Sequence, residues 1–327
     1  MSCSWPDIKE PKLKSVNLEL TSHCNLACWF CLNPTNEFRD KGFISDTLIS
    51  KIINELDRNT KIMLCGIGEP ALHPDFEQIV GMLCKKFKSV SVVTNGYLLT
   101  EEKFIINIVK NKVEKMFLSL DYLDDEDINK YKDAPHGYLN KIFNGLEKLE
   151  HYKKEFNSKI YTQINFLYDG KKEYRIFLAC HKKLTEVMSE NWCMYIRMIK
   201  TLAKQVKIDL PCINDDTHLV EKFYPIESEN VTIEDWNKLL IHVPKHLRKT
   251  KSCRHIYSYY MLLWDGSVVP CCNDFNGSAI VSNVLNSNEN LNDLFYSKKY
   301  DGLRKDLDNL AETKIKICQN CSDFYKA

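Results

Sequence analysis

Apolar and polar residues alternate from Val16 to Thr21: Val16, Leu18 and Leu20 interleave with Asn17, Glu19 and Thr21, the period of a half-buried strand. β-rich runs recur at 62–65, 90–94, 116–120, 160–167 and 193–199. Helical spacing fills the gaps between them. Ile44, Leu48, Ile52, Ile53 and Leu56 share one face, with Ser45 or Asp46 as the cap. Phe76, Ile79, Val80 and Leu83 form a second face, and Phe104, Ile105, Ile108 and Val109 a third. This alternation predicts βαβ units around a parallel sheet, an α/β fold. Six strands are too few to close the usual eight-stranded barrel, so the expectation is a partial (β/α)6 TIM-like barrel.

Beyond residue 200 the pattern degrades. The stretch 205–250 carries Pro211, Pro225 and Pro244 and one short helix that Thr232 and Asp235 would start as a capping box. From Cys253 the character changes again: 259–264 and 267–269 flank Asp265-Gly266, a strong hairpin signal. One amphipathic helix is expected after it, with Leu294, Phe295, Leu303 and Leu307 inward. The expected layout is a barrel over 1–204, a linker over 205–250 and a small cysteine-rich domain over 251–327.

Composition adds one strong feature. The net charge of +1 argues against a nucleic-acid groove or an anionic-membrane binder. Residues 1–14 do not read as a signal peptide, and nowhere do eighteen apolar residues run together. A cytoplasmic chain is therefore expected, and its 14 cysteines stay reduced. Clustered thiols in that setting bind metal or do chemistry. Cys24, Cys28 and Cys31 form C-x3-C-x2-C directly after the first strand. Zinc would want a fourth ligand, whereas a four-iron cluster held by three thiolates keeps one iron open to chelate a cofactor or substrate. A zinc knuckle, or loop cysteines without a ligand role, are the plainer readings.

The run Cys24-Asn25-Leu26-Ala27-Cys28-Trp29-Phe30-Cys31, with an aromatic before the third cysteine, resembles the signature of radical S-adenosylmethionine (SAM) enzymes. Gly66-Ile67-Gly68-Glu69-Pro70 after the second strand resembles that family's GEP motif. Thr94-Asn95-Gly96 ends the third strand and Ser119-Leu120-Asp121 the fourth, so the likeness runs in order over about residues 14–200, each motif at a strand's carboxyl end. The resemblance implies SAM as cofactor and a SAM-binding [4Fe-4S] cluster on Cys24, Cys28 and Cys31. Glu69 would accept from the SAM amino group, with Gly66 and Gly68 letting the backbone approach and Pro70 and Asn95 completing the contact. Ser119 or Asp121 would hydrogen-bond the ribose, although Asp121 is equally placed to cap the next helix. Asn165 and Arg197 are weaker candidates to reach the adenosine or the substrate. Reductive cleavage of SAM would then give a 5′-deoxyadenosyl radical that abstracts hydrogen from an unactivated C–H.

A second constellation lies near the end: Cys253, then Gly266-x4-Cys271, then Cys318-x2-Cys321. It resembles the family's SPASM domain in its shortened twitch form, which implies one auxiliary [4Fe-4S] cluster; a structural zinc site suits four thiolates as well. Cys272 would be either a hydrogen-atom donor, as in some epimerases of the family, or a spare ligand beside Cys271. Cys65, Cys84, Cys180 and Cys193 read as small core residues, Cys3 as part of a tail and Cys212 as part of the linker. Lys153-Lys154 reads as a solvated helix face, and Trp192, Trp236 and Trp264 as core. The expected activity is dehydrogenation or epimerisation of a small sugar or aminocyclitol-like molecule, with a flavodoxin or ferredoxin as electron donor and no nucleic-acid or membrane partner. Only about fifteen residues precede the first strand, where peptide maturases often carry a leader-binding domain, so modification of a ribosomal peptide stands second. A non-catalytic zinc- or iron-binding interaction module is the reading from another class.

Overall fold

Strand β1 (Ser15–Leu18) stands where the alternation places it and is the hub of one open sheet. The computed structural model describes residues 10–28, 31, 33, 39–122, 124–168, 182–189, 191–200, 217–223, 253, 255–308, 313–315 and 318; the side chains of 167–168, 194–200 and 217–223 lie outside that description. Strands β2 (Lys61–Leu64), β3 (Val90–Thr94), β4 (Lys115–Asp121), β5 (Tyr161–Tyr168) and β6 (Trp192–Lys200) follow in parallel, each beside its predecessor. All six coincide with the β-rich runs of the sequence.

Four further strands complete the sheet. β7 (Thr217–Phe223) pairs parallel to β6 inside the stretch expected as linker; the short helix expected there lies outside the described residues. β8 (Tyr259–Leu262) and β9 (Ser267–Val269) form the expected hairpin, with Gly266 at φ +85° in its turn. That hairpin does not stand alone. β8 pairs parallel to β1, Ser15 opposite Tyr259 and Leu18 opposite Leu262, and β10 (Ser282–Asn283) extends the same sheet from β9. The strand order is β10-β9-β8-β1-β2-β3-β4-β5-β6-β7, a sheet that does not close, hence a partial barrel.

Helices α1 (Asp46–Glu55), α2 (Phe76–Lys86), α3 (Tyr97–Thr100), α4 (Glu102–Lys110), α5 (Asp125–Lys132) and α6 (Tyr138–Glu155) connect the strands. Ser45 caps α1 by accepting from the Leu48 N–H at 3.3 Å. The apolar faces of α1, α2, α4 and α6 share one core with Val16, Leu18, Ile62, Leu64, Val92, Met116, Leu118 and Ile164 of the strands. The opposite strand face therefore carries Asn17, Ser91, Phe117, Ser119, Gln163 and Asn165, and register sets Phe117 beside Gln163 and Ser119 beside Asn165.

Two expectations are corrected. The single amphipathic helix after the hairpin is two, α7 (Leu291–Phe295) and α8 (Lys298–Leu307), because Asn290 and Ser297 each cap a new start. Lys153 is not on a solvated face: it is buried and its ammonium lies 2.5 Å from Glu150, whereas Lys154 is exposed. Trp192 and Trp264 pack half-buried against the core as expected, and Trp236 lies outside the described residues. Among the described residues no helix is long and apolar enough to cross a membrane.

Candidate active site

Parallel pairing of β1 to β5 gathers five loops at the carboxyl ends of the strands, and the sequence motifs sit on them. Cys24, Cys28 and Cys31 occupy the loop after β1, all half-buried. The loop is pinned at both ends. Thr21 donates to the Gly42 carbonyl at 2.8 Å, and the buried Asn33 amide donates to the carbonyls of Ser22 and Ile67 at 2.5 and 3.2 Å. Donors reach sulfur from the chain itself: the Asn33 N–H lies 3.4 Å from Cys31 Sγ, and Cys24 Sγ accepts from the Asn95 amide at 3.5 Å and from the Leu26 N–H.

Glu69 is 1% exposed. Its Oε1 accepts from the Thr94 hydroxyl at 3.0 Å and the Ala71 N–H at 3.3 Å, and its Oε2 from the Asn95 N–H at 2.7 Å. Burial pushes its carboxyl up to about 7 against those donors. Glu69 thus ties the second-strand loop to the third and caps the short turn Pro70–Leu72. The glycines make room for the protein itself: a Cβ on Gly68 would lie 2.2 Å from the Thr21 carbonyl oxygen, and one on Gly66 would lie 2.6 Å from Glu19. Asn95 is shared further, accepting from the Tyr138 hydroxyl at 3.2 Å and the Tyr97 N–H at 2.9 Å.

Asp121 is not a helix cap. It ends β4 at φ +67°, beyond a break in register at Ser119, and Asp124 caps α5 by accepting from the Asp127 N–H at 2.8 Å. Asp121 instead faces Lys132, which the sequence reading passed over. The Lys132 ammonium is buried, 2.8 Å from Asp121 and 2.6 Å from the Ser119 carbonyl, while its own carbonyl accepts from the Ala27 N–H of the cysteine loop. Burial works against this ammonium, but the Asp121 carboxylate and the Cys28 and Cys24 thiolates outweigh it and hold its pKa above the ordinary lysine value. Asn165 is buried on β5, taking a 2.8 Å bond from Gln163; the Arg197 side chain lies outside the described residues.

Glu19 was also missed. Fully buried at the end of β1, it accepts from the backbone of Ile67 and Trp264, both at 3.3 Å, and is ion-paired to Arg39. Arg39 in turn donates to the Phe275 carbonyl at 2.7 Å, which joins the cysteine loop to the loop after β9. Cys65, expected in the core, lies half-buried beside Glu19; burial pushes its thiol well up, and the charges of Cys272 and Glu19 add to that. Cys272 packs against Met261, Leu263 and Val269, with its sulfur 3.7 Å from the Tyr259 hydroxyl.

The second constellation is brought together in part. Cys253 and Cys318 are buried, and the Cys318 thiol is pushed up to about 12 by burial and then by the Cys253 charge. Cys271 heads the tight turn in which its carbonyl accepts from the Asp274 N–H and its sulfur from the Asn273 N–H at 3.4 Å. Cys321 lies outside the described residues, as do Cys3, Cys180 and Cys212.

Both thiol sets fit iron–sulfur clusters. Burial, with the Cys24 charge added, pushes the Cys31 thiol up to about 12, and Cys24 and Cys28 also lie above the ordinary thiol range. Such thiols ionise only beside strong positive charge, which a metal centre provides and Lys132 supports. The N–H groups on Cys31, Cys24 and Cys271 are the donors that sulfur-bound clusters use. Among the described residues no three His, Cys, Asp or Glu side chains stand close enough to share one ion; a cubane, whose cysteines bind different irons, does not ask for that.

Comparison with known proteins agrees with this arrangement. Residues 18–168 match the radical SAM superfamily, and residues 253–322 match the SPASM iron–sulfur cluster-binding domain. A Methanosarcina mazei protein named Probable GTP 3′,8-cyclase is 32% identical over 141 residues, a match spanning 41% of this chain and 41% of that protein's length. The S-adenosyl-L-methionine-dependent 2-deoxy-scyllo-inosamine dehydrogenase of Niallia circulans is 20% identical over 94% of this chain and 92% of its own. The crystal structure of Streptococcus suis SuiB bound to precursor peptide SuiA shares the fold, with a TM-score of 0.60 and 15% identity over 94% of this chain and 71% of that one.

Proposed function

The chain belongs to the radical SAM superfamily and is an enzyme using SAM and iron–sulfur clusters, and from that premise we propose that it dehydrogenates a small polyhydroxylated, aminocyclitol-like substrate at an unactivated C–H. The observation that carries this reading is the strand face opposite the helices. Asn17, Ser91, Ser119, Gln163 and Asn165 place hydrogen-bonding groups there among the apolar Met63, Val93 and Phe117, a mixed lining suited to a small ring that carries hydroxyls and an amine. Likeness along nearly the whole chain to the Niallia circulans dehydrogenase supports the same choice.

Cys24, Cys28 and Cys31 would hold the cluster that supplies the electron for reductive SAM cleavage, and Cys253, Cys271, Cys318 and Cys321 would hold one auxiliary cluster able to take up an electron from the substrate. Glu69, already fixed by Thr94, Asn95 and Ala71, would accept from the SAM ammonium, and Gly66, Gly68 and Pro70 would hold the turn that presents it. Asn95 steadies Cys24 and the adjoining loop. Ser119 and Asp121 would take the ribose hydroxyls, with Lys132 holding the Asp121 carboxyl in place. Cys272 lies on the substrate side of β8 and β9; in an epimerase it would return a hydrogen atom to the substrate radical. The enzyme works in the cytoplasm with a flavodoxin or ferredoxin as electron donor.

Anaerobic reconstitution tests the reading. About eight irons per chain are expected, with 5′-deoxyadenosine formed on reduction in the presence of SAM. An aminocyclitol panel should yield a product two hydrogens poorer, without solvent deuterium at the reacting carbon in D2O. Deuterium incorporation that Cys272→Ala abolishes would establish epimerisation instead. Turnover of a ribosomal peptide but of no aminocyclitol would establish the maturase reading, and a zinc-loaded chain inert toward SAM would sink both.

A further inference from the structure

Asn95 follows β3 with every hydrogen-bonding group of its side chain engaged. Its Oδ1 accepts from the Tyr97 N–H at 2.9 Å and from the Tyr138 hydroxyl at 3.2 Å, and its amide nitrogen donates to Asn25 Oδ1 at 3.0 Å and to Cys24 Sγ at 3.5 Å. A primary amide offers two lone pairs and two N–H groups, so all of them are used. The Tyr97 N–H can only donate, and the amide oxygen has to face it. Turning the amide over would set its oxygen against Asn25 Oδ1 and the sulfur, and its nitrogen against the Tyr97 N–H. The donor on Cys24 is thus held in place by whatever holds the oxygen on the opposite side.

Tyr138 is the side chain on that opposite side. It opens α6 directly after Gly137 and is 3% exposed. Close packing fixes its helix: a Cβ on Gly145 would lie 2.1 Å from the Leu99 carbonyl oxygen, and one on Gly96 would lie 2.5 Å from Ile142 Cδ1, so α6 rests on α3 and on the turn that carries Asn95. Asn25 closes the circuit through its own side-chain hydrogen bond to Tyr138. Burial holds the phenol above the ordinary tyrosine range, so it keeps its proton and remains a donor. A hydroxyl that donates to an amide oxygen polarises the amide and strengthens the bonds its N–H groups make.

We propose that Tyr138 is a positioning residue acting through Asn95: it orients and polarises the amide that donates to Cys24, and so raises the reduction potential of the SAM-binding cluster. The inference rests on the cluster assigned to Cys24, Cys28 and Cys31. A hydrogen bond to a ligand sulfur stabilises the reduced state, which carries more negative charge, so weakening that bond lowers the potential. The backbone donors on Cys31 and Cys24 survive a change of side chain, whereas the Asn95 amide is adjustable.

The test is a reductive titration of the full chain after anaerobic reconstitution, read by electron paramagnetic resonance; the signal that changes when SAM is added marks the SAM-binding cluster. A SAM-responsive signal that survives Cys24→Ala, Cys28→Ala and Cys31→Ala together overturns the cluster assignment, and the proposal with it. With the assignment standing, Tyr138→Phe should lower the midpoint potential of this signal and leave that of the auxiliary cluster unchanged. Asn95→Ser keeps an oxygen for the Tyr97 N–H but is too short to reach Cys24. It should lower the midpoint further and remove a strongly coupled exchangeable proton from the reduced-state spectrum. Tyr138→Phe added to Asn95→Ser should then lower it no more, because the phenol acts through the amide. An unmoved midpoint in Tyr138→Phe, an equal shift in both clusters, or a further drop in the double variant overturns the proposal. If Asn95→Ser holds no iron, fluorotyrosine at position 138 keeps the hydroxyl as a stronger donor and must raise the midpoint; no rise is equally decisive.

Discussion

At Lys132 a buried ammonium meets Asp121 at 2.8 Å, and its charge reaches Cys24, Cys28, Cys31 and Glu69. Lys132→Met leaves Asp121 buried without its cation, at a cost of about 3–5 kcal/mol, to be read from urea unfolding; retained iron should fall with it. Glu69 makes a different prediction, with a definite sign. Its carboxyl ionises near 4.5 in the unfolded chain and at about 7 in the folded one, so between those values the folded state binds more protons. Stability therefore falls as pH rises from about 4.5 to about 7, by about 3 kcal/mol, and Glu69→Gln should lack that part of the slope in denaturant titrations. Glu69 was legible because its motif is short and ordered. Lys132 was not, since in the run Asp125-Glu126-Asp127-Ile128-Asn129-Lys130-Tyr131-Lys132 a lysine reads as one more solvated charge. Glu19 failed for a related reason: alternation marks it as facing away from the apolar core, and only the β8–β9 hairpin turns that other face into a buried one.

Among the connecting elements, the turn at Gly66–Pro70 and the cysteine loop lie backbone against backbone. The contact of a Gly68 Cβ with the Thr21 and His23 carbonyl oxygens, at 2.2 and 2.5 Å, has no flexible side chain to yield. Gly68→Ala should destabilise by about 1–3 kcal/mol in thermal unfolding and reduce the iron bound after reconstitution. Gly302→Ala, in α8 with open space around it, is the matching control and should stabilise by up to about 1 kcal/mol. Periodicity rendered β1 to β6 and α1, α2 and α4 well, because each buries one face against the same core. It could not render the break between α7 and α8, where the apolar residues keep helical spacing across a capping serine. Nor did the Gly66 and Gly68 positions reveal their packing partner: the sequence reading assigned the room to the SAM tail, and the structure fills it with the chain's own backbone and Glu19.

On the scale of the whole molecule, the cysteine-rich region is a continuation of the barrel sheet. β8 pairs with β1, Arg39 joins Glu19 to the Phe275 carbonyl, and the Leu291 N–H donates to Glu55 at 2.8 Å. Deleting residues 251–327 should therefore strip one edge of β1 and leave a chain that aggregates, whereas the full chain should lose far- and near-ultraviolet dichroism in one coincident transition. Local pattern cannot announce such a contact. Alternation in Val16–Leu20 declares which face is apolar and carries no information about a neighbour near the other end. The same pairing sets an order of events during synthesis. β1 is translated about 240 residues before β8, so at about 5–20 residues per second it waits about 10–50 s for its second neighbour. Over that interval Glu19 has neither Trp264 nor the Phe275-held Arg39 to close over it. The wall over Glu19 is thus finished only once Phe275 has been made, and the first tenth of the chain depends on its last quarter for shelter.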